Sequence, residues 1–195
     1  MAEKRKRWSK NMAGHSGSEL VFLDESSVNT DMTRRYARSL GGTRAVDSAP
    51  ICRPKSTTIL SSICKDGRTT YTSYPGGTTA ERFADYLKNI LIPKLDKNAL
   101  VIMDNMRSHH AKKVQSLLEE AGVNYCYLPP YSPDLNPIEK LWSKLKTFLR
   151  REKARTLEAL PAAIDRAFRT ICHKDCMVNP QSKCNLVRLN ASSCV

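Results

Sequence analysis

The order in which strand and helix signals follow one another is what most limits the folds open to this chain. An apolar run, "LVFLD" from Leu20 to Asp24, opens the series. Two segments rich in β-branched and aromatic residues follow, Ser56 to Ile63 and Arg68 to Tyr74. "KDG", Lys65 to Gly67, lies between them and reads as a hairpin turn. From there strands and helices alternate. A helix carries Phe83, Leu87, Ile90 and Leu91 on one face, with Thr78 and Glu81 suited to a capping box at its start. "ALVIMD", Ala99 to Asp104, is a short buried strand. The next helix has a stripe of Val114, Leu117, Leu118 and Ala121, with Ser108 as its expected cap and Gly122 at its C-terminal end. "VNYCYL", Val123 to Leu128, is a fifth strand. Ile138, Leu141, Trp142, Leu145 and Leu149 then make a helical stripe. A last helix spans roughly Thr156 to Ile171, and Pro161 inside it predicts a late start or a kink. Hairpins first and alternation afterwards predict an α/β protein: a mixed five-stranded sheet flanked by helices.

Two of the strand runs end in an acid, Asp24 and Asp104. Ligands of open α/β sheets bind at the carboxyl ends of strands. If the two strands are neighbours, the acids lie side by side and repel unless a cation or a proton sits between them. All-oxygen ligands of this kind suit Mg²⁺ or Mn²⁺. The bland reading is that strand ends are wet and an Asp there begins a turn. Glu25 and Asn105 are the neighbours most easily confused with the main ligands.

The stretch "LPPYSPDLNPIEKLW", Leu128 to Trp142, raises a third carboxylate. Asn136 fits an N-cap, Pro137 the first helical position and Glu139 the third, a capping-box pattern. Glu139 could therefore do no more than satisfy its own helix start. Yet Pro129, Pro130, Pro133 and Pro137 each restrict the backbone and lower the entropy lost on ordering. Such a segment can hold a helix start at a fixed place beside the fifth strand, as a metal ligand requires.

"LVFLDES", "VIMDNMRSHHA" and "LPPYSPDLNPIEKLW" resemble, in order, the three catalytic blocks of the mariner-like transposases and their bacterial insertion-sequence relatives, members of the DDE superfamily. There are 34 residues between Asp104 and Glu139, a spacing typical of that group. The resemblance runs from about Leu20 to Phe168; "RYARSLGG", Arg35 to Gly42, and "VDSAP", Val46 to Pro50, are also similar to family sequence. It implies a ribonuclease H-like fold, with Asp24, Asp104 and Glu139 as catalytic acids holding Mg²⁺ or Mn²⁺, two ions in all. It implies cleavage of phosphodiester bonds at transposon ends and strand transfer into target DNA. A homo-oligomer assembled on DNA is expected. Family members carry a helix-turn-helix region ahead of the core, and a separate chain is expected to supply it here. The readings kept beside this one are an inactive remnant that binds DNA non-specifically, and a ribonuclease H-like nuclease or resolvase.

Charge agrees with a nucleic-acid partner. The 195 residues carry 32 Lys plus Arg against 19 Asp plus Glu, a net charge of +13, which favours polyanions. After Glu139 come Lys140, Lys144, Lys146, Arg150, Arg151, Lys153 and Arg155, opposed only by Glu152. A solvated helix face is the usual fate of such a run; the alternative is phosphate contact by Lys140, Lys144, Lys146, Arg150 and Arg151. His109 matches a histidine common in the family's second block. It is grouped with the DNA contacts, as a residue touching substrate or a water beside the acids, with an exposed surface histidine as the other reading. No apolar run approaches the roughly 20 residues needed to cross a bilayer, and the expectation is a cytoplasmic protein, nucleoid-associated in a bacterial host, with no membrane partner. The seven cysteines read as free thiols; Cys172, His173, Cys176 and Cys184 do not have standard zinc-finger spacing. The expected organisation is a basic lead-in at 1–19, a catalytic domain at 20–171 and an atypical tail at 172–195.

Overall fold

The computed structural model describes residues 2–12, 15, 20–34, 36–48, 50, 56–64 and 66–172. Arg35, Ala49 and Lys65 lie outside that set, as do His173, Cys176 and Cys184 and with them the zinc reading.

Five strands form one mixed sheet. They are β1 (Leu20–Val28), β2 (Thr57–Cys64), β3 (Thr69–Pro75), β4 (Leu100–Met103) and β5 (Asn124–Tyr127), in spatial order β3-β2-β1-β4-β5. β1 pairs antiparallel with β2 and parallel with β4; β2–β3 is antiparallel and β4–β5 parallel. The hairpin between β2 and β3 turns at Gly67, whose φ of 98° is open to glycine without strain.

The helices are α1 (Ala2–Met12), α2 (Ala80–Tyr86), α3 (Lys112–Glu120), α4 (Ile138–Glu152) and α5 (Ala159–Arg169). α2 runs on into a π-turn (Leu87–Leu91) and a 3₁₀ turn (Ile92–Lys94). Strand side chains alternate between two apolar clusters, as a period of two requires. Phe22, Ile59, Ile63, Leu100 and Ile102 pack with α4 and α5 residues such as Leu141, Trp142, Leu145 and Ile164. Val21, Leu23, Leu60, Val101 and Met103 pack with Phe83, Leu87, Val114 and Leu118 from the other helices. Both faces of β4 are covered, which is why its sequence is apolar without interruption.

Within the basic lead-in, Ala2–Met12 form α1, and its Trp8 and Met12, one turn apart, are buried in the first cluster. Arg5 of α1 pairs with Asp134 in the proline-rich stretch. α5 starts late, as Pro161 predicts, and the Thr156 hydroxyl accepts from the Ala159 N–H at 3.2 Å ahead of it.

Three local expectations are corrected. α2 is capped by Thr79, which accepts from the Arg82 N–H; Thr78 is taken up by Tyr74, hydroxyl to hydroxyl at 2.8 Å. α3 begins only at Lys112, with Ala111 at its cap and no side-chain bond, and the Ser108 hydroxyl is buried with no partner. β1 does not end at Asp24. It continues to Val28, because Ser26, Ser27 and Val28 keep pairing with Ile59, Thr58 and Thr57 of β2.

Candidate active site

β1 outruns its parallel neighbour. The β1–β4 ladder ends at Phe22 opposite Ile102, so Asp24 and Asp104 each stand two residues beyond that last pair. The shared register puts the two acids side by side at the carboxyl end of the parallel strands. Asp24 has the parity of Phe22 and faces the α4 side; Glu25 has the parity of Leu23 and faces the opposite side. Alternation therefore separates two adjacent acids that look equivalent in sequence.

The third acid arrives with α4. Leu128 donates its N–H to the carbonyl of Met103 at 2.7 Å, and its own carbonyl accepts from the Asn105 side chain. The prolines then lead through Tyr131, in the left-handed region at φ 54°, and a 3₁₀ turn (Pro133–Leu135) into α4. Leu135 and Ile138 anchor this path in the core. Asp24, Asp104 and Glu139 line one open cleft of about 460 Å³, with Asn105, Met106, Asn136 and residues 128–133 as its other walls.

The capping-box reading of Glu139 is not realised. The Asn136 N–H donates to the Pro133 carbonyl at 3.0 Å, and α4 has no side-chain cap. The Asn136 side chain instead donates to Asp24 Oδ2 at 3.3 Å. The indole N–H of Trp142, one turn into the helix from Glu139, donates to the same oxygen at 3.1 Å. The Glu25 N–H donates to Asp24 Oδ1 at 2.8 Å. Burial nevertheless pushes the Asp24 carboxyl up to about 7, against these bonds and aided by the charges of Glu25 and Asp104.

Asp104 is held differently. Burial pushes its carboxyl up, but the His109 hydrogen bond, the Met106 N–H at 3.0 Å and the charges of His109 and His110 bring it below its ordinary value. His109 is fully buried, which excludes the predicted contact with DNA and the surface reading alike. Its Nδ1 faces Asp104 Oδ1 at 2.9 Å and its Nε2 faces Glu25 Oε1 at 3.0 Å. Burial alone would push the imidazole down; the bonds to Asp104 and Glu25, with their charges, hold it up at about 10. With a carboxylate oxygen facing each ring nitrogen, the geometry favours the protonated ring, able to donate on both sides. Donor atoms of Glu25, Asp104 and His109 lie within 4.8 Å of one another, and the two ring nitrogens are each within hydrogen-bond reach of a carboxylate oxygen.

Of the basic run, Lys144, Arg150 and Arg151 line a second groove of about 470 Å³ with Arg34, Thr147, Phe148 and Thr170. Lys144 Nζ donates to the Thr170 carbonyl at 2.6 Å, and the Arg151 guanidinium lies 5.5 Å from the Phe148 ring centre. Lys140 and Lys146 are half-buried on the same helix. Lys153 and Arg155 serve the fold instead: Lys153 pairs with Asp47, and Arg155 donates to the carbonyls of Thr30 and Met32 at 3.2 Å. Sequence reasoning missed Asn136, Trp142 and Glu25 as partners of the acids. Strand parity was the available signal for Glu25, and the three-residue offset from Glu139 for Trp142.

A family model described as DDE superfamily endonuclease matches residues 19–161. The chain is 29% identical over 93 residues to the transposase of the transposable element Tcb1 from Caenorhabditis briggsae, covering 46% of this chain and 34% of that protein. Among solved structures, the Mos1 transposase paired-end complex with left transposon end superposes with a TM-score of 0.75 at 23% identity, over 89% of this chain and 56% of that one. The Mos1 mariner paired-end complex with Mn gives 0.72 at 21% identity, over 89% and 56%. At these identities the superpositions establish a shared fold, the ribonuclease H-like sheet of the Mos1 catalytic core. The chain spans about a third of the length of the curated relative it matches.

Proposed function

The chain belongs to the DDE superfamily endonuclease family, and from that premise we propose that it is a DNA transposase catalytic domain that cuts phosphodiester bonds at transposon ends and joins them to target DNA. The observation that carries this reading is the single cleft lined by Asp24, Asp104 and Glu139. The donor set fits hard divalent cations, Mg²⁺ or Mn²⁺. Its oxygens are carboxylates, burial and the neighbouring charges of Glu25 and Asp104 push the Asp24 carboxyl up to about 7, and the Asn136 Oδ1 is buried in the cleft wall with no partner among the described residues. When bound, a pair of such ions supplies Lewis acidity for the attacking water or 3′-hydroxyl and for the leaving oxygen. The protein's part is to hold and orient. Asp24, fixed by Trp142 and Asn136, and Asp104, fixed by His109, present carboxylates from the sheet, and Glu139 presents one from the helix. No side-chain nucleophile is required. Lys140, Lys144, Lys146, Arg150 and Arg151 would hold phosphates in register without reading bases. The wider assembly proposed is a homo-oligomer on DNA. The deciding experiment is metal-dependent nicking of DNA carrying the flanking terminal repeats; no nicking with either metal, by folded protein that binds the DNA, leaves the remnant reading.

Two further outcomes follow from the same roles. Lys144→Ala or Arg150→Ala should weaken DNA binding across all sequences and lower the salt slope by about 1, because one fewer counterion is released. Fluorescence anisotropy between low and moderate salt measures this, and an unchanged slope removes these residues from the interface. Cation affinity should also depend on pH. Asp24 must lose its proton before it can hold a cation, and its carboxyl sits at about 7. Mn²⁺ affinity should therefore fall about tenfold per pH unit below 7 and level off above it. A flat profile from pH 5.5 to 8 would count against Asp24 as a ligand.

A further inference from the structure

The contacts recorded for the Asp104 carboxylate among the described residues fall on Oδ1, which accepts from the Met106 N–H at 3.0 Å and faces His109 Nδ1 at 2.9 Å, the same nitrogen lying 3.3 Å from the Asp104 carbonyl. Asp104 also lines the cleft of the three acids. The imidazole beside it is held on several sides. Its far nitrogen donates to Glu25 Oε1 at 3.0 Å, and its face stacks on Phe83 with ring centres 4.1 Å apart. Its backbone is tied on both sides: the His109 N–H donates to the Met106 carbonyl at 3.0 Å, and the Tyr127 hydroxyl donates to the His109 carbonyl at 3.1 Å. Glu25 belongs to the strand beside Asp104 but faces away from Asp24, and its side chain is only 7% exposed. It does not line the cleft of the three acids; what it touches is the histidine.

We propose that Glu25 and His109 form a brace that fixes the rotamer of Asp104, so that Oδ2 is presented to a divalent cation while neither Glu25 nor His109 is itself a ligand. The proposal rests on the reading that Asp104 holds a cation. A carboxylate free to rotate about χ1 and χ2 loses that freedom when it binds an ion; one already locked by its neighbours does not. Groups that orient ligands in this way typically contribute about 10–100-fold to metal affinity. The two members divide the work. His109 supplies the bond, and Glu25, buried on the far side, fixes the ring that supplies it.

Mn²⁺ binding to the full chain without DNA, followed by the EPR signal of the free ion, tests the brace independently of catalysis. Asp104→Asn should abolish binding at that site. His109→Ala should weaken it by about 10–100-fold. His109→Asn, whose amide can donate from near the place of Nδ1, should recover most of the loss. Glu25→Ala should weaken binding by less than His109→Ala. Affinity unchanged in His109→Ala overturns the brace. So does a loss in Glu25→Ala as complete as that in Asp104→Asn, since Glu25 would then be a ligand. A His109→Asn variant no better than His109→Ala also overturns it, because the donated bond would not be what matters. Unchanged binding in Asp104→Asn overturns the brace too, and marks the failure as that of the underlying cation reading. Thermal melts accompany each variant; if His109→Ala does not melt cooperatively, Glu25→Ala decides, and unchanged affinity there is fatal to the proposal.

Discussion

Asp104→Asn is expected to lower Mg²⁺- or Mn²⁺-dependent nicking of terminal-repeat DNA by about 10³-fold or more, while DNA binding is retained. The substitution is close to isosteric. An asparagine oxygen can still accept from the Met106 N–H and from His109, so the local fold has its hydrogen bonds. What disappears is the negative charge at the cleft. A cation held by two carboxylates in place of three is both less populated and less well placed. A loss of about 4 kcal/mol in transition-state stabilisation corresponds to the 10³-fold figure. DNA affinity should stay level or rise slightly, because one negative charge near the phosphates is gone. Asp24→Asn and Glu139→Gln should behave alike, since each line of argument gives them the same role. Single-turnover nicking and anisotropy on the same preparations check both halves. Nicking within tenfold of the unmutated protein would remove Asp104 from the chemistry, and a parallel loss of DNA binding would point to a structural effect instead.

The acids were legible because their signal is local. An apolar run closed by an Asp occurs twice, and the β1–β4 register brings both Asp residues to the same edge. The helix stripe around Leu141 and Leu145 was legible for the same reason: a period of 3.6 is written in neighbouring residues. What escaped was set by distant partners. Asn136 has the spacing of a cap, but its side chain turns to Asp24, 112 residues away in sequence, where a carboxylate is the stronger acceptor. His109 sits among residues that look like a helix start. Its burial depends on Glu25 from β1 and Phe83 from α2, and α3 begins only after it. β1 was read short because Ser26 and Ser27 carry no apolar signal, although β2 pairs with both. Thr78 and Thr79 are indistinguishable as caps until the Tyr74 hydroxyl claims one of them. The charge run on α4 misled in the opposite sense: Lys153 and Arg155 have the composition of a DNA contact but are spent on tying down residues 30–47.

Trp142 should separate packing from positioning within one side chain. Its ring is buried in the cluster beneath the sheet, and its indole N–H is bonded to Asp24. Trp142→Ala removes both, and a truncation of that size costs about 3–5 kcal/mol. In a domain of this length that is a fall of roughly 10 °C in Tm, with nicking lost as the helix that carries Glu139 loosens. Trp142→Phe keeps most of the apolar volume and deletes the donor. Its Tm should fall less, since the bond it forfeits is one to a carboxylate, worth about 1.5–3 kcal/mol at most. Its chemistry should still suffer. The indole bond favours the charged form of Asp24, so without it the carboxyl is pushed further above its present value of about 7. The pH at which Mn²⁺ binding levels off should move upward, and nicking at neutral pH should drop while nicking at higher pH recovers. A Phe variant whose pH profile overlays that of the unmutated protein would show that Trp142 is there only to fill space. A profile shifted to higher pH, in a protein that melts closer to the unmutated one than Trp142→Ala does, would show that the tryptophan one turn beyond Glu139 tunes Asp24.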